Sequence, residues 1–371
     1  MRLTDIPTPA VLIESSILER NLDRMQAAAR ARGKRLRPHA KTHKSPFVAR
    51  MQIDRGAAGI CCAKLGEAEV FADAGIGDIR LPYPLHPVNA RRVFALADRV
   101  ALSFIVDDPA IARQWSDAAV RADRKLDVLI KVDVGFHRCG IDPGSDSAAQ
   151  VVREVAALPG LRFRGLLSHA GHGYGAKTEA EAASIAAEEA RMLTALAAAA
   201  AVPCEEISVG ATPTARFSLE QPGITEMRPG NYAYFDRTQV ALGSASFEDC
   251  ALTVLARVVS RPAADRIICD SGSKTLTNDL ARGVVPAPGY GAVMTDLRDA
   301  RPDTTLLVER LSEEHATIRA TGGSSTLRTG DLVRIVPNHS CVVSNMVDAV
   351  WLVDGDIVVE RLPVAARGRI T

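Results

Sequence analysis

The sequence predicts an α/β fold, a (β/α)8 TIM barrel over residues 16–240 followed by an all-β domain over residues 241–371. Three observations carry that expectation. Short β-like runs alternate with helix-like stretches through the first two thirds of the chain. Eight such strands fall within roughly 220–250 residues, the size of a (β/α)8 barrel. After about Val240 the alternation stops and short runs rich in Val, Ile and Leu take over. A doubly wound open sheet shares the alternation and is the alternative architecture.

The elements follow in order. A helix-like segment covers Glu14–Ala31. Strands are expected near Leu36–Lys41, Gly59–Cys62, Ile79–Leu81, Leu102–Val106, Val128–Asp133, Phe163–Ser168, Ile207–Val209 and Glu226–Arg228, with helix-like stretches between them. The Ala-rich stretch Glu179–Ala200 sets Ile185, Met192, Leu193 and Leu196 on one stripe, as a helix packed on a sheet requires. In the second domain, strands are expected at Val254–Ser260, Arg266–Asp270, Thr305–Glu309, Ala316–Ala320, Leu332–Val336, Val350–Val353 and Ile357–Glu360. Turn signals such as Thr329-Gly330-Asp331 and Asp354-Gly355-Asp356 separate them. No long helix intervenes.

Composition narrows the function classes. A chain of 371 residues has room for one large domain and a smaller one, and its 47% hydrophobic and 24% charged residues are those of a soluble globular protein. The net charge is +1 with no basic stripe, which excludes a nucleic-acid footprint. No apolar run is long enough to span a bilayer. The opening Met1-Arg2-Leu3-Thr4-Asp5 lacks the apolar centre of a signal peptide, and seven scattered cysteines argue for a reducing cytoplasm over a disulfide framework.

The chemistry-bearing residues begin at Arg35-Leu36-Arg37-Pro38-His39-Ala40-Lys41-Thr42-His43-Lys44. Strand alternation sets Leu36, Pro38 and Ala40 on one face and Arg37, His39 and Lys41 on the other. In a barrel the second face lines the lumen, with Lys41 at the C-terminal mouth, where shelter would lower its pKa as a Schiff-base amine needs. A solvent-exposed basic strand edge is the ordinary alternative. Other loops fall at the same mouth: Gly135–Gly140 with Arg138 after the fifth strand, His169–Tyr174 after the sixth, Gly210–Thr214 after the seventh, and Gly230-Asn231-Tyr232 after the eighth. Barrels often bind phosphate between the loops after strands seven and eight. In the β domain, Pro337-Asn338-His339-Ser340-Cys341-Val342 places an imidazole and a thiol at i and i+2. On an extended segment these point to one side and could grip one metal ion, with zinc preferred by so soft a pair. A buried thiol beside a hydrogen-bonded histidine is the commoner case.

Together these motifs resemble the D-serine dehydratase and D-threonine aldolase family, alanine-racemase-like (fold-type III) enzymes that use pyridoxal 5'-phosphate (PLP). The resemblance runs from Asp5-Ile6-Pro7-Thr8-Pro9 to Ala366-Arg367-Gly368 and is most specific at Arg37–Lys41, Gly210–Thr214, Pro229–Asp236 and Pro337–Cys341. It implies that Lys41 carries PLP as a Schiff base and acts as the catalytic base. It implies too that Arg138 bonds the cofactor ring, and that Gly210, Thr212, Gly230 and Asn231 hold the phosphate. His169 and Tyr174 are further expected cofactor contacts. His339 and Cys341 would bind a divalent metal, zinc first and manganese as the alternative. The substrate would be a small D-configured β-hydroxy amino acid of the D-serine, D-threonine or D-threo-3-hydroxyaspartate type. Residues 1–15 would join the β domain, and the protein would be a cytoplasmic homodimer.

Within the family, His-x-Cys looks similar to the dehydratases, where aldolases typically carry His-x-Asp. Aldolases also place a histidine before the tyrosine of the sixth loop, where this chain has Gly173. Dehydration to a 2-oxo acid and ammonia is therefore the favoured expectation, with aldol cleavage to glycine and an aldehyde as the alternative. A racemase would have no evident use for a metal, and a PLP carrier would usually lack the second domain. The residue facing the pyridine nitrogen and the roles of Cys61-Cys62, Asp270–Lys274 and Glu313-Glu314-His315 are not assigned.

Overall fold

Eight parallel strands curl into one closed sheet in the computed structural model, which describes residues 1–371. The chain opens with β1 (Ala10–Glu14) and α1 (Ser15–Ala31). It then runs through β2 (Arg35–Leu36), α2 (Pro46–Asp54), β3 (Ile60–Cys61), α3 (Leu65–Asp73), β4 (Asp78–Pro84), α4 (Ala90–Ala97), β5 (Ala101–Val106) and α5 (Pro109–Arg121). The second half of the barrel is β6 (Leu126–Lys131), α6 (Ala148–Ala156), β7 (Leu161–Leu167), α7 (Glu179–Ala200), β8 (Glu206–Val209), α8 (Ala215–Ser218), β9 (Glu226–Met227) and α9 (Arg237–Ala241). The neighbour order is β2-β9-β8-β7-β6-β5-β4-β3. A parallel bridge between His39 and Cys61 joins the two ends, with the Cys61 N–H donating to the Pro38 carbonyl at 2.8 Å. A doubly wound open sheet would leave those edges apart, so the barrel is the architecture.

The lumen is packed in layers, as small barrels require. Ile105, Leu129 and Leu167 form an apolar cluster inside it. A buried ionic layer also crosses the lumen: Arg37 Nε lies 2.9 Å from Glu226 Oε2, and Arg80 reaches Glu226 at 2.5 Å and Glu206 at 2.7 Å. Burial works against the Glu226 carboxylate, yet Arg80 and Arg37 hold its pKa at about 2. Removing one member would strand a buried charge, which is far costlier than the net worth of such a pair.

The second domain adds β10 (Leu252–Ala263), β11 (Arg266–Cys269), α10 (Ser273–Leu276), β12 (Gly291–Met294), β13 (Leu306–Leu311), β14 (Ala316–Ala320), β15 (Leu332–Pro337), α11 (Ser340–Met346), β16 (Ala349–Asp354) and β17 (Ile357–Pro363). β1 belongs to this sheet, antiparallel to β10 with Leu12 opposite Thr253 and parallel to β16 with Leu12 opposite Trp351. One continuous cluster of 79 buried residues runs through barrel and second domain alike, so the two halves share a core. No helix is long and apolar enough to cross a membrane.

Three expectations need correction. The first barrel strand stops at Leu36. Backbone pairing continues to His39, but Lys41 lies on a 3-10 turn over Ala40–Thr42 because the His39 side chain caps that turn by accepting from the Lys41 N–H. Cys341 is not on an extended segment. His339 is extended (φ −145°, ψ 92°), and the chain then turns into α11 with Cys341 in its first turn. The second domain remains a β-sheet domain, with α10 and α11 as short insertions. The strand β12 also lay unseen, since its four residues sit between two long irregular segments.

Candidate active site

The mouth of the barrel opens into a cavity of about 820 Å³, and the second domain forms its far wall. Lys41, Arg138, His169, Tyr174, Thr212, Gly230, Asn231, His339 and Cys341 all line it. Gly210 does not: it stands behind the wall, where its carbonyl accepts from His169 Nδ1 at 2.5 Å. Burial holds the His169 imidazole well below its ordinary pKa, with Lys41 and Lys131 adding to the effect. His169 is therefore neutral with its proton on Nδ1, and Nε2 is left as an acceptor. The Phe136 ring meets the His169 ring edge-on at 5.8 Å.

Lys41 reaches into this space on its 3-10 turn. The surrounding protein lowers its amine below the ordinary lysine range, chiefly by desolvation, with Arg138 and Arg228 adding. A lysine in that state is the nucleophilic amine a carbonyl cofactor requires. Gly230 lies directly beneath the turn: a Cβ there would meet the His39 carbonyl at 2.8 Å and Thr42 Oγ1 at 2.9 Å. Only glycine allows β9 to deliver the following loop so close.

The walls carry unsatisfied polar atoms. Thr212 Oγ1, Thr214 Oγ1 and Asn231 Oδ1 are buried without a hydrogen-bond partner. Buried polar groups rarely stay unpaired, and a set of them beside a cavity marks where a polar ligand belongs. These atoms sit on the loops after β8 and β9, where barrels hold phosphate. The lining is strongly cationic: Lys41, Lys44, Lys131, Arg138, Arg228 and Arg282 face one acid, Glu67, which already pairs with Lys44 at 3.0 Å. Shape, the orphaned threonine hydroxyls and charge fit PLP.

The second domain seats α11 against the lysine's turn. Thr42 Oγ1 lies 3.2 Å from Cys341 Sγ, the Ser344 hydroxyl donates to the Thr42 carbonyl, and Lys44 Nζ donates to Asn345 Oδ1 at 2.7 Å. Asp236 secures the start of the helix by accepting from the Ser340 N–H at 3.0 Å and from Asn231 Nδ2 at 2.6 Å. His339 Nδ1 donates to Asp279 Oδ2 at 2.6 Å, which leaves Nε2 as a donor for a metal. Burial opposes charge on both partners, yet Cys341 holds His339 up at about 10 and His339 holds the Cys341 thiol down. A thiol and an imidazole that favour each other's charged forms make a pair in which a metal cation could replace a proton. No cluster of three His, Cys, Asp or Glu side chains converges there, so a metal would take two protein donors and leave positions for water or substrate.

Several of these residues were not singled out in the sequence. Arg228 donates to Ser208 Oγ at 2.8 Å and to the Ser168 carbonyl beneath the cavity. Lys131 ends β6, with its pKa pushed down to about 7, chiefly by burial. A lone cation inside the apolar run Val128–Val132 was the signal for it. Asp279, Glu67 and Arg282 sit in stretches with no pattern to mark them. Cys61 and Cys62 are buried, while Lys274 pairs with Glu313 and Glu314 on the exposed surface, away from the cavity.

Residues 13–238 match the alanine racemase N-terminal domain family, and residues 251–353 match a serine dehydratase domain. The chain belongs to this family. The chain is 33% identical to a D-threonine aldolase from Arthrobacter sp. over 99% of its own length and 94% of that protein's. The D-threo-3-hydroxyaspartate dehydratase of Delftia sp. strain HT23 is 35% identical over 91% of this chain and 92% of that one. Its solved structure superposes with a TM-score of 0.90, covering 98% of each chain at 31% identity. That of D-threonine aldolase from Filomicrobium marinum gives 0.89 at 32% identity, covering 100% of this chain and 98% of the other. Alanine racemase of Clostridium difficile, at 12% identity and a TM-score of 0.69 over 97% of this chain and 100% of that one, shares the fold.

Proposed function

We propose that this chain is a PLP- and divalent-metal-dependent lyase that converts small D-configured β-hydroxy amino acids into a 2-oxo acid and ammonia. One observation carries the reading: the turn bearing Lys41 is joined through Thr42 to Cys341, so a cofactor lysine and a candidate metal ligand share one cavity. Dehydration needs both functions side by side. A proton must leave Cα and a poor leaving group must leave Cβ.

Bound PLP would supply an electron sink for charge developing at Cα. A divalent cation would supply Lewis acidity for the departing β-oxygen. Thr212, Gly230 and Asn231 would hold the phosphate, with Gly210 positioning His169 from behind. Arg138, His169 and Tyr174 would contact the rest of the cofactor, and Lys41, with its lowered pKa, would take up the Cα proton. Cys341 and His339 would hold the cation, oriented by Asp279. Zinc is the expected metal for a thiolate–imidazole pair, with manganese next. Solved structures of D-threo-3-hydroxyaspartate dehydratase include a His-to-Ala variant and, two positions on, a Cys-to-Ala variant in a metal-free form, which supports assigning the metal to this pair. We expect a homodimer in the cytoplasm, in keeping with seven free cysteines.

Aldol cleavage is the second reading, favoured by the identity to the Arthrobacter aldolase and by His172, which lines the cavity with Nδ1 buried and unpartnered. Product analysis with D-serine, D-threonine and D-threo-3-hydroxyaspartate separates the two. Stoichiometric 2-oxo acid and ammonia are expected. Glycine and an aldehyde from D-threonine would replace the dehydratase reading with the aldolase one.

A further inference from the structure

Arg282 is the one exposed cation of the cavity lining with neither a partner nor an assigned role. It is exposed and makes no ion pair, side-chain hydrogen bond or ring contact. The others are committed elsewhere or buried. Lys44 pairs with Glu67, Arg228 binds Ser208 and Ser168, and Arg138 stacks over Phe136 at 5.1 Å. Lys131 is buried at the end of β6, and Lys41 carries the cofactor in the reading above.

The segment bearing Arg282 is held on both sides. Upstream, Asp279 gives its carboxylate to His339 and its carbonyl to Asn338 Nδ2 at 2.9 Å. Downstream, a Cβ on Gly283 would meet the Ala241 carbonyl at 2.5 Å, so this glycine presses the chain against α9. Val284 and Val285 then donate to that same carbonyl at 2.9 and 3.0 Å, and Asn338 Nδ2 also reaches the Gly289 carbonyl at 2.9 Å. The guanidinium is thus presented from a fixed support, three residues from the partner of a metal ligand.

Its place follows from the chemistry. If a cation held by His339 and Cys341 takes the β-oxygen, Cβ would stand beside these residues and its remaining substituent would fall next to the segment tied to His339. We propose that Arg282 is a specificity-determining residue that selects substrates with an anionic group on Cβ, that is, β-hydroxy amino diacids such as 3-hydroxyaspartate. A planar guanidinium recognises a carboxylate through paired N–H donors and offers nothing to a hydrogen or methyl group. This assignment of the diacid rests on the lyase reading of the site, whereas recognition of the second carboxylate can be read without turnover.

The test uses the PLP- and metal-loaded protein. Binding of D-aspartate and of D-alanine is followed by calorimetry in wild type, R282Q and R282K; neither ligand has a β-hydroxyl to lose. kcat/KM is then measured for D-threo-3-hydroxyaspartate and D-serine. Wild type should bind D-aspartate more tightly than D-alanine. R282Q should lose about 10- to 100-fold on the two diacids and less than about 3-fold on D-alanine and D-serine, with partial recovery in R282K. Equal losses on all four ligands would assign Arg282 to the α-carboxylate and overturn the proposal, as would unchanged affinities. Arg282-dependent preference for D-aspartate in a protein that turns over neither β-hydroxy acid would refute the lyase reading and leave this inference standing.

Discussion

Lys131 shows how much a single residue can conceal. It ends an apolar strand, where a cation has no packing reason to be, and only the assembled barrel shows that Arg228, Cys139, Glu189 and Arg138 surround it. Its pKa of about 7 lies below the ordinary lysine value of 10.5. Between pH 7 and 10.5 the unfolded chain therefore binds a proton that the folded chain does not, so stability rises with pH across that window. Below pH 7 the full penalty for the buried charge is present. Lys131→Met in the cofactor-free protein should raise stability near pH 7 by on the order of a few kcal/mol, with the gain shrinking as pH approaches 10. Urea unfolding of both proteins at several pH values checks this, and a pH-independent difference would refute it. Lys41 was legible because it sits among histidines, arginines and a proline at a strand end. Arg228 was not, because the last residue of a strand looks the same whether it points into a barrel or out of it.

At the scale of elements, the loops after strands five to eight were readable from glycine-containing turns in an alternating pattern, and their convergence follows from the barrel. The start of α11 was not. His339-Ser340-Cys341 has the alternation of a strand, and what turns it into a helix is tertiary: Asp236, far away in sequence, accepts from the Ser340 N–H and from the Gln239 N–H at 3.0 Å each. Asp236 thus caps α9 and anchors α11 at once. Asp236→Ala should cost about 2–4 kcal/mol, since it leaves buried donors without an acceptor. It should also lower the metal retained after dialysis by loosening the helix that carries Cys341. Denaturant titration and elemental analysis read the two effects, and a destabilised variant with full metal content would separate α11 from Asp236.

For the whole molecule, the alternation of elements and the change of texture near Val240 made both halves legible, but not their union. Beside the shared core, the polar contacts that join them are single side chains, such as Lys44 to Asn345 and Ser344 to the Thr42 carbonyl, and they leave no periodic trace in the sequence. That union matters because neither half is sufficient: the barrel supplies Lys41 and the orphaned hydroxyls, and the second domain supplies His339 and Cys341. The division of labour predicts that the two steps of the reaction can be uncoupled. The most direct test follows D-serine by proton NMR in deuterium oxide with PLP-loaded enzyme, before and after chelation and after readdition of zinc. The account predicts that the chelated enzyme still exchanges the Cα proton for deuterium through Lys41 while forming no 2-oxo acid, and that zinc restores product formation. Full 2-oxo acid formation in the presence of the chelator would contradict it.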